Sequence, residues 1–187
     1  MMRRRIIPIA IFFLLLFRGS WAQLSPEGIP PSVLAQSLRE VAGKSATIQW
    51  ETLSIDPSAR NQFRRLLPDT QAVYLGKVSG ERQLEMFIAT AKGKVEHFIF
   101  AVYFRPDTEE IWDVDILEYR EAYGGEIDYR AFRRQFRGKK QPKDIVFRRT
   151  IRNISGATIS ARSVTKRVRE VLALYRYLKT QQKEALR

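Results

Sequence analysis

Residues 95–104 read VEHFIFAVYF, and after the turn RPDT at 105–108 the chain resumes as IWDVDILEY at 111–119. The first run is rich in aromatic and β-branched side chains and ends at a proline turn, which predicts a strand. In the second, Trp112, Val114 and Ile116 interleave with Asp113 and Asp115, the period of two of a strand with two unlike faces. The acids Asp113, Asp115 and Glu118 then read as the solvated face of that strand rather than as acid/base chemistry. Working backwards, AVYLGKV at 72–78 and LEMFIATA at 84–91 are two further strands, joined by the hairpin turn Ser79-Gly80-Glu81-Arg82. Lys92-Gly93-Lys94 turns the chain again. The sum is an antiparallel meander of four strands.

Outward from the meander, helical spacing takes over. Val33, Leu34, Leu38 and Val41 predict a helix over 32–41, ended by Gly43. Asp56-Pro57 opens a second helix running to about Leu67, with Asp56 as N-cap and Pro57 in the first turn. Downstream, 128–136 predicts a short helix with Phe132 and Phe136 on one face, and 144–147 a short strand. From about Ser160 to Ala185, Val164, Val168, Val171, Tyr175 and Leu178 step by four, three, four and three residues. That is the stripe of a long helix packed on a sheet. The fold class is α+β: an antiparallel sheet meander packed against a long C-terminal helix.

Composition narrows the function. The 187 residues hold no cysteine and one histidine, His97. Disulfide scaffolds, thiolate metal sites, iron–sulfur clusters and cysteine catalysis are excluded, and a multi-histidine metal site is disfavoured. Arg3, Arg4 and Arg5 precede an apolar run from Ile6 to Phe17 and a Ser20-x-Ala22 site. This is the pattern of a secretory signal peptide cut after Ala22, the run being too short to span a bilayer comfortably; an uncleaved anchor is the alternative. The formal net charge of the whole chain is +13. Residues 23–129 hold 11 basic and 17 acidic side chains, net −6, whereas residues 130–187 hold 18 basic and 3 acidic, net +15. A basic C-terminal third suits an anionic ligand or surface, and the export signal argues against nucleic acid.

The segment Ser155-Gly156-Ala157-Thr158-Ile159-Ser160 lies just before the long helix. Gly156 is free to adopt unusual backbone angles and Ala157 permits close approach. A helix N-terminus with hydroxyl side chains is suited to a phosphate, and Arg148, Arg149, Arg152 and Arg162 add charge complementarity. The simpler reading is a helix start capped by Thr158 or Ser160. Other short matches carry less. Gly43-Lys44-Ser45 fits only the end of a phosphate loop, whose first glycine would fall on Leu38. Asn153-Ile154-Ser155 fits a glycosylation sequon that arises readily by chance.

SGATIS ahead of a long helix resembles the attachment motif of FMN-binding domain proteins, such as the flavin subunits of the Rnf and sodium-translocating NADH:quinone reductase complexes. The resemblance covers about residues 94–178. It includes the glycine segment Glu121-Ala122-Tyr123-Gly124-Gly125-Glu126 and the pattern Gln135-Phe136-Arg137-Gly138-Lys139. It implies FMN joined covalently by a phosphoester to Thr158, with Ser155, Gly156, Ala157 and Ser160 around the phosphate. Tyr123, Gly124 and Gly125 would line the ring, with Arg120 and Glu121 in second rank. It implies no catalytic residue and no metal ligand. An exported flavin transferase using FAD and magnesium would make the bond. Arg152 stands where many members carry an acid, and E-A-Y-G-G-E replaces the usual E-T-P-G-x-G, which suggests a sub-branch.

The resemblance divides the chain into a signal peptide (1–22), an N-terminal helical and strand segment (23–93) and an FMN-binding domain (94–187). The expected role is an exported, periplasmic electron carrier or redox subunit rather than a stand-alone enzyme, with a membrane or periplasmic redox partner. The competing expectation is a non-redox basic module docking on an anionic membrane surface or an acidic partner. A flavin enzyme acting on a small substrate is a third.

Overall fold

The computed structural model describes residues 28–64, 66–67 and 72–185; the proposed signal peptide and its cleavage site lie outside them. Helix α1 (Pro31–Ala42) begins with a proline whose missing N–H costs nothing at the first helical position, and ends at Gly43, where φ is 113°. Strand β1 (Thr47–Ser54) follows, then the short helix α2 (Pro57–Phe63) and strands β2 (Ala72–Ser79), β3 (Leu84–Lys92), β4 (His97–Phe104) and β5 (Ile111–Glu118). The five strands pair antiparallel in the order β1-β2-β3-β4-β5. The meander therefore has one more strand than the sequence predicts, β1, which pairs with β2 across the intervening helix α2.

Strand β1 escapes a reading by pattern because it is an edge strand with mostly exposed or half-exposed positions. Its apolar side chains lean inward over Gly76 of β2: a Cβ there would stand 2.5 Å from Ile48 Cδ1. The glycine makes room for the isoleucine. Helix α2 closes at Phe63, short of the expected Leu67, although Leu66 and Leu67 are themselves buried.

The sheet is covered on both faces. Phe98, Phe100, Val102 and Phe104 of β4 point to one side, where they meet α2 and the last helix. Ala101 and Tyr103 point to the other, against α1. This two-sided burial explains why β4 reads as a continuous apolar run rather than an alternating one.

After β5 come a 3-10 turn (Gly125–Asp128), the single-turn helix α3 (Arg130–Arg133) and a second 3-10 turn (Arg134–Phe136). The predicted helix over 128–136 is thus broken at Tyr129, which adopts extended angles (φ −59°, ψ 134°). Phe132 and Phe136 still share a face, edge to face with ring centroids 5.6 Å apart. The strand expected over 144–147 does not form. Pro142–Asp144 is a 3-10 turn, and the Val146 carbonyl accepts the N–H groups of Arg149, Thr150 and Ile151. The Thr150 hydroxyl bonds the Asp144 carbonyl and the Val146 N–H. These local bonds compete with a ladder, and only a single bridge between Phe147 and Ile151 remains.

Helix α4 (Thr158–Ala185) buries Val164, Val168, Val171, Tyr175 and Leu178, the predicted stripe. Tyr175 stacks on Phe104, centroids 4.0 Å apart and planes 11° from parallel. Its hydroxyl donates to buried Glu85 of β3 at 2.6 Å. Lys77 at 2.5 Å and Lys179 at 3.0 Å complete the neutralisation of that carboxylate. Burial alone would push the Glu85 carboxyl up. The hydrogen bonds from Lys77, Tyr175 and Lys179 outweigh it and hold the group below the usual range. A lowered carboxyl contributes stability that is present above its unfolded pKa and lost as pH falls through the folded one. Glu85→Gln should therefore lower stability by about 2 kcal/mol at neutral pH. It should also shrink the loss of stability on acidification, read from urea midpoints between neutral and acid pH.

The acids of β5 correct the expectation of a solvated face. Asp113 and Asp115 are only 4% and 5% exposed. Asp113 accepts from Arg137, and Asp115 from Arg133, which also reaches Asp128 at 3.0 Å. An irregularity between Tyr103 and Phe104 in the pairing of β4 with β5 moves Trp112 to the α1 side, where Arg105 sits 4.5 Å above its ring. The alternation along β5 is real, but the second face is covered, and arginines 18 and 24 residues further on neutralise it.

Candidate functional site

The turn before α4 has the geometry its small residues require. Gly156 sits at φ +85°, and a Cβ there would stand 2.5 Å from Glu126 Oε1. Ala157 is 1% exposed and packs inward, while Ser155 and Gly156 are exposed. The first N–H of the helix to bond back into the turn is that of Ala161, to the Ala157 carbonyl at 2.8 Å. The amides of 158–160 have no backbone acceptor among the described residues, the condition that makes a helix start receptive to an anion. Thr158 is half-exposed, and its Oγ1 accepts a hydrogen bond from the Asn153 amide at 2.8 Å. With Asn153 as donor, the hydroxyl keeps its own proton for another acceptor.

The approach to this turn is held by the Gln135-to-Lys139 pattern. Gln135 bonds both sides of the Arg152 backbone, accepting from its N–H at 2.6 Å and donating to its carbonyl at 3.3 Å. Phe136 is fully buried. Gly138, at φ +74°, donates to Ile111 at 2.8 Å, and Ile111 donates to Lys139 at 3.0 Å. The pattern therefore fastens β5 on one side and the segment leading into the turn on the other.

The glycine segment meets the same helix end from β5. The Tyr119 hydroxyl donates to the Tyr123 carbonyl at 2.8 Å, so the Ser160 hydroxyl, also at 2.8 Å, must be donating to Tyr119. Burial pushes the Tyr119 phenol up and the Glu121 and Glu126 carboxylates push it further, against the Ser160 bond, so the phenol stays protonated. Gly124 is buried at φ +96°, and a Cβ there would stand 2.3 Å from the Tyr119 hydroxyl and 3.0 Å from Ser160 Oγ. Gly124→Ala should break this junction: we expect a loss of about 2 kcal/mol in stability from strain and lost hydrogen bonds, measured by urea unfolding, with reduced flavin retention. Gly125 opens the 3-10 turn that carries Glu126.

The structure thus brings Tyr123, Gly124, Gly125 and Ser160 together beside Thr158, Ser155, Gly156 and Ala157. Glu121 stands one step away with both oxygens in use, accepting the backbone N–H groups of Lys94, Val95 and Glu96 at 2.8–3.0 Å. These bonds overcome desolvation and hold its carboxyl below the usual range. Ser160 is 2% exposed and committed to Tyr119. Asn153, Tyr119 and Glu126 have no individual signal in the sequence. Asn153 appears there only as a sequon, and the other two act through contacts across the fold. Glu126 packs on Gly156, and its second oxygen is buried with no partner among the described residues.

Exposed apolar surface concentrates here. Among the described residues, Val95 (75% exposed), Tyr123 (82%), Tyr129 (61%) and Ile159 (52%) are the large apolar side chains left open. Each lies at this end: Val95 on the turn held by Glu121, Tyr123 beside Gly124, Tyr129 bonded to Glu126, and Ile159 next to Thr158. Open aromatic and aliphatic groups around a phosphate-ready helix start suit a ligand with a charged end and a flat apolar end. By contrast, a cavity of about 360 Å³ lined by Phe63, Leu66, Glu170 and Ala173 lies further along α4 and shares no residue with this site.

Residues 92–173 match the family model described as the FMN-binding domain, a segment that begins at the last residue of β3 and ends within α4. No curated protein and no solved structure matches the chain. The residues present fit a flavin phosphate: unbonded first-turn amides, a glycine with no side chain to block them, and the arginines of 148–162.

Proposed function

Because residues 92–173 belong to the FMN-binding domain family, and the chain is on that ground a flavin-binding protein, we propose that it is an exported electron carrier holding FMN through a phosphoester to Thr158. The observation that carries the reading is the half-exposed Thr158 hydroxyl, oriented by Asn153 at a helix start whose first amides have no backbone acceptor among the described residues. In the attachment step a flavin transferase supplies FAD. A bond forms from Thr158 Oγ1 to the FMN phosphorus, the pyrophosphate bond breaks, AMP leaves, and the hydroxyl proton passes to the transferase.

When bound, the flavin supplies the redox chemistry, and the protein supplies attachment, orientation and electrostatics. Thr158 fixes the phosphate end. Gly124 and Gly125 keep side-chain bulk away from the neighbouring surface, and Tyr123 offers an open aromatic face. A covalent tether suits a protein outside the cytoplasm, where a dissociated flavin is diluted away. Export rests on the N-terminal pattern over 1–22, and no helix among the described residues is long and apolar enough to cross a membrane.

The reading is tested by colour. Protein coproduced with an FAD-dependent flavin transferase should be yellow, and the chromophore should stay with the chain after denaturation. A colourless protein would favour the basic binding module instead.

A further inference from the structure

We propose that the exposed face of α4 and the adjoining loop 148–152 form a docking strip for a carboxylate-rich protein surface, that of the redox partner. The proposal rests on the electron-carrier reading above and adds the surface and the chemistry of what binds it.

The basic third of the chain divides by what its cations touch. Arg133, Arg137, Lys140, Arg176, Lys179 and Lys183 each reach an acid of the fold. Arg130, Arg134 and Lys143 also lack an ion pair among the described residues, but they sit on the turns before this loop; Arg148, Arg149, Arg152, Arg162, Lys166 and Arg169 are set apart by standing together on the loop and on α4. All six are exposed, and none has an ion pair among the described residues. On α4, Ile159, Arg162, Lys166 and Arg169 fall at i, i+3, i+7 and i+10, one face of the helix. The loop joins that face through Phe147, whose ring lies 5.6 Å from the Arg162 guanidinium and 5.7 Å from that of Arg148. Arg148 is held at φ +63°, a backbone state disfavoured for a non-glycine residue. The strip starts one residue after Thr158.

A concentration of like charge with no internal counter-charge repels itself and is relieved by an anionic partner. Two features favour a protein over a lipid surface. Interfacial helices bind by sinking an apolar face into the bilayer, but the apolar face of α4 is spent on the core, with Val164, Val168 and Val171 fully buried. Five of the six cations are arginines, whose planar fork matches carboxylates bidentately. A partner seated on the strip would also lie against the attachment turn, and charge complementarity of this kind raises association rates in brief encounters.

The test compares two charge-reversed proteins of equal net charge. One carries Lys166→Glu with Arg169→Glu. The other carries Arg39→Glu with Lys44→Glu, two exposed cations near the other face of the sheet. Binding is measured to immobilised poly-L-glutamate and to vesicles of phosphatidylglycerol and phosphatidylcholine, with circular dichroism confirming the fold. Wild type should bind poly-glutamate, increasingly weakly as salt rises, and should prefer it to the vesicles. The strip variant should lose about tenfold or more in affinity and the control far less. Equal losses in both variants, no binding by wild type at low salt, or preference for vesicles would overturn the proposal. Flavin absorbance of the same samples is read separately, so a colourless protein sinks the carrier reading without obscuring the docking result.

Discussion

Thr158→Ala should give a folded protein that carries no covalent flavin, whereas Thr158→Ser, which keeps a hydroxyl at the same place, should recover part of the attachment. The loss is all or none because the substitution removes the oxygen that forms the ester. The fold should survive. Thr158 is half-exposed at the first position of α4, and it contributes one hydrogen bond, from Asn153. Losing that bond costs about 1 kcal/mol, or roughly 3 °C in Tm for a chain of this size. Thermal unfolding and absorbance of the denatured protein read the two quantities independently.

Arg133→Ala should be the most destabilising single change among the ion pairs, at about 3 kcal/mol and roughly 10 °C in Tm. The Arg133 and Asp115 side chains are 14% and 8% exposed, so truncation leaves a buried carboxylate without its cation. Burial already pushes the Asp115 carboxyl up, against the pull of the Ser37 hydroxyl and Arg133. The contribution of a raised carboxyl is fully present below its unfolded pKa and is lost as pH rises through the folded one. Without Arg133 the carboxyl moves higher still, so the deficit of the variant should grow between acid and neutral pH. Asp115→Asn added to Arg133→Ala should recover part of it, since the uncompensated charge is then gone.

What could be read from the sequence follows from what each element depends on. Strands β2 to β5 and the stripe of α4 are legible because their own side chains fix their period and burial. Helix α1 is legible from its leucines and Gly43. Strand β1 is not, because it is an edge strand with no buried position, and its contact with the sheet depends on the missing side chain of Gly76. The predicted strand over 144–147 yields to bonds from Thr150 and the 3-10 turn at Pro142. Asp113 and Asp115 look solvated because the arginines that neutralise them arrive from another element. The helix start at SGAT is legible, and so is its likeness to a flavin attachment turn. The junction of Tyr119, Gly124 and Ser160 is not, since it joins residues 41 apart in the chain. Among the described residues of the basic third, the cations also separate, once the structure assigns partners, into those that pair with acids of the fold and those that face outward.

The most direct test of the flavin reading is peptide mass spectrometry of protein coproduced with the transferase. A proteolytic peptide spanning Ser155 to Arg162 should carry the mass of FMN less water on Thr158. The same peptide recovered unmodified, or modified on Ser155 or Ser160 instead, would contradict the account.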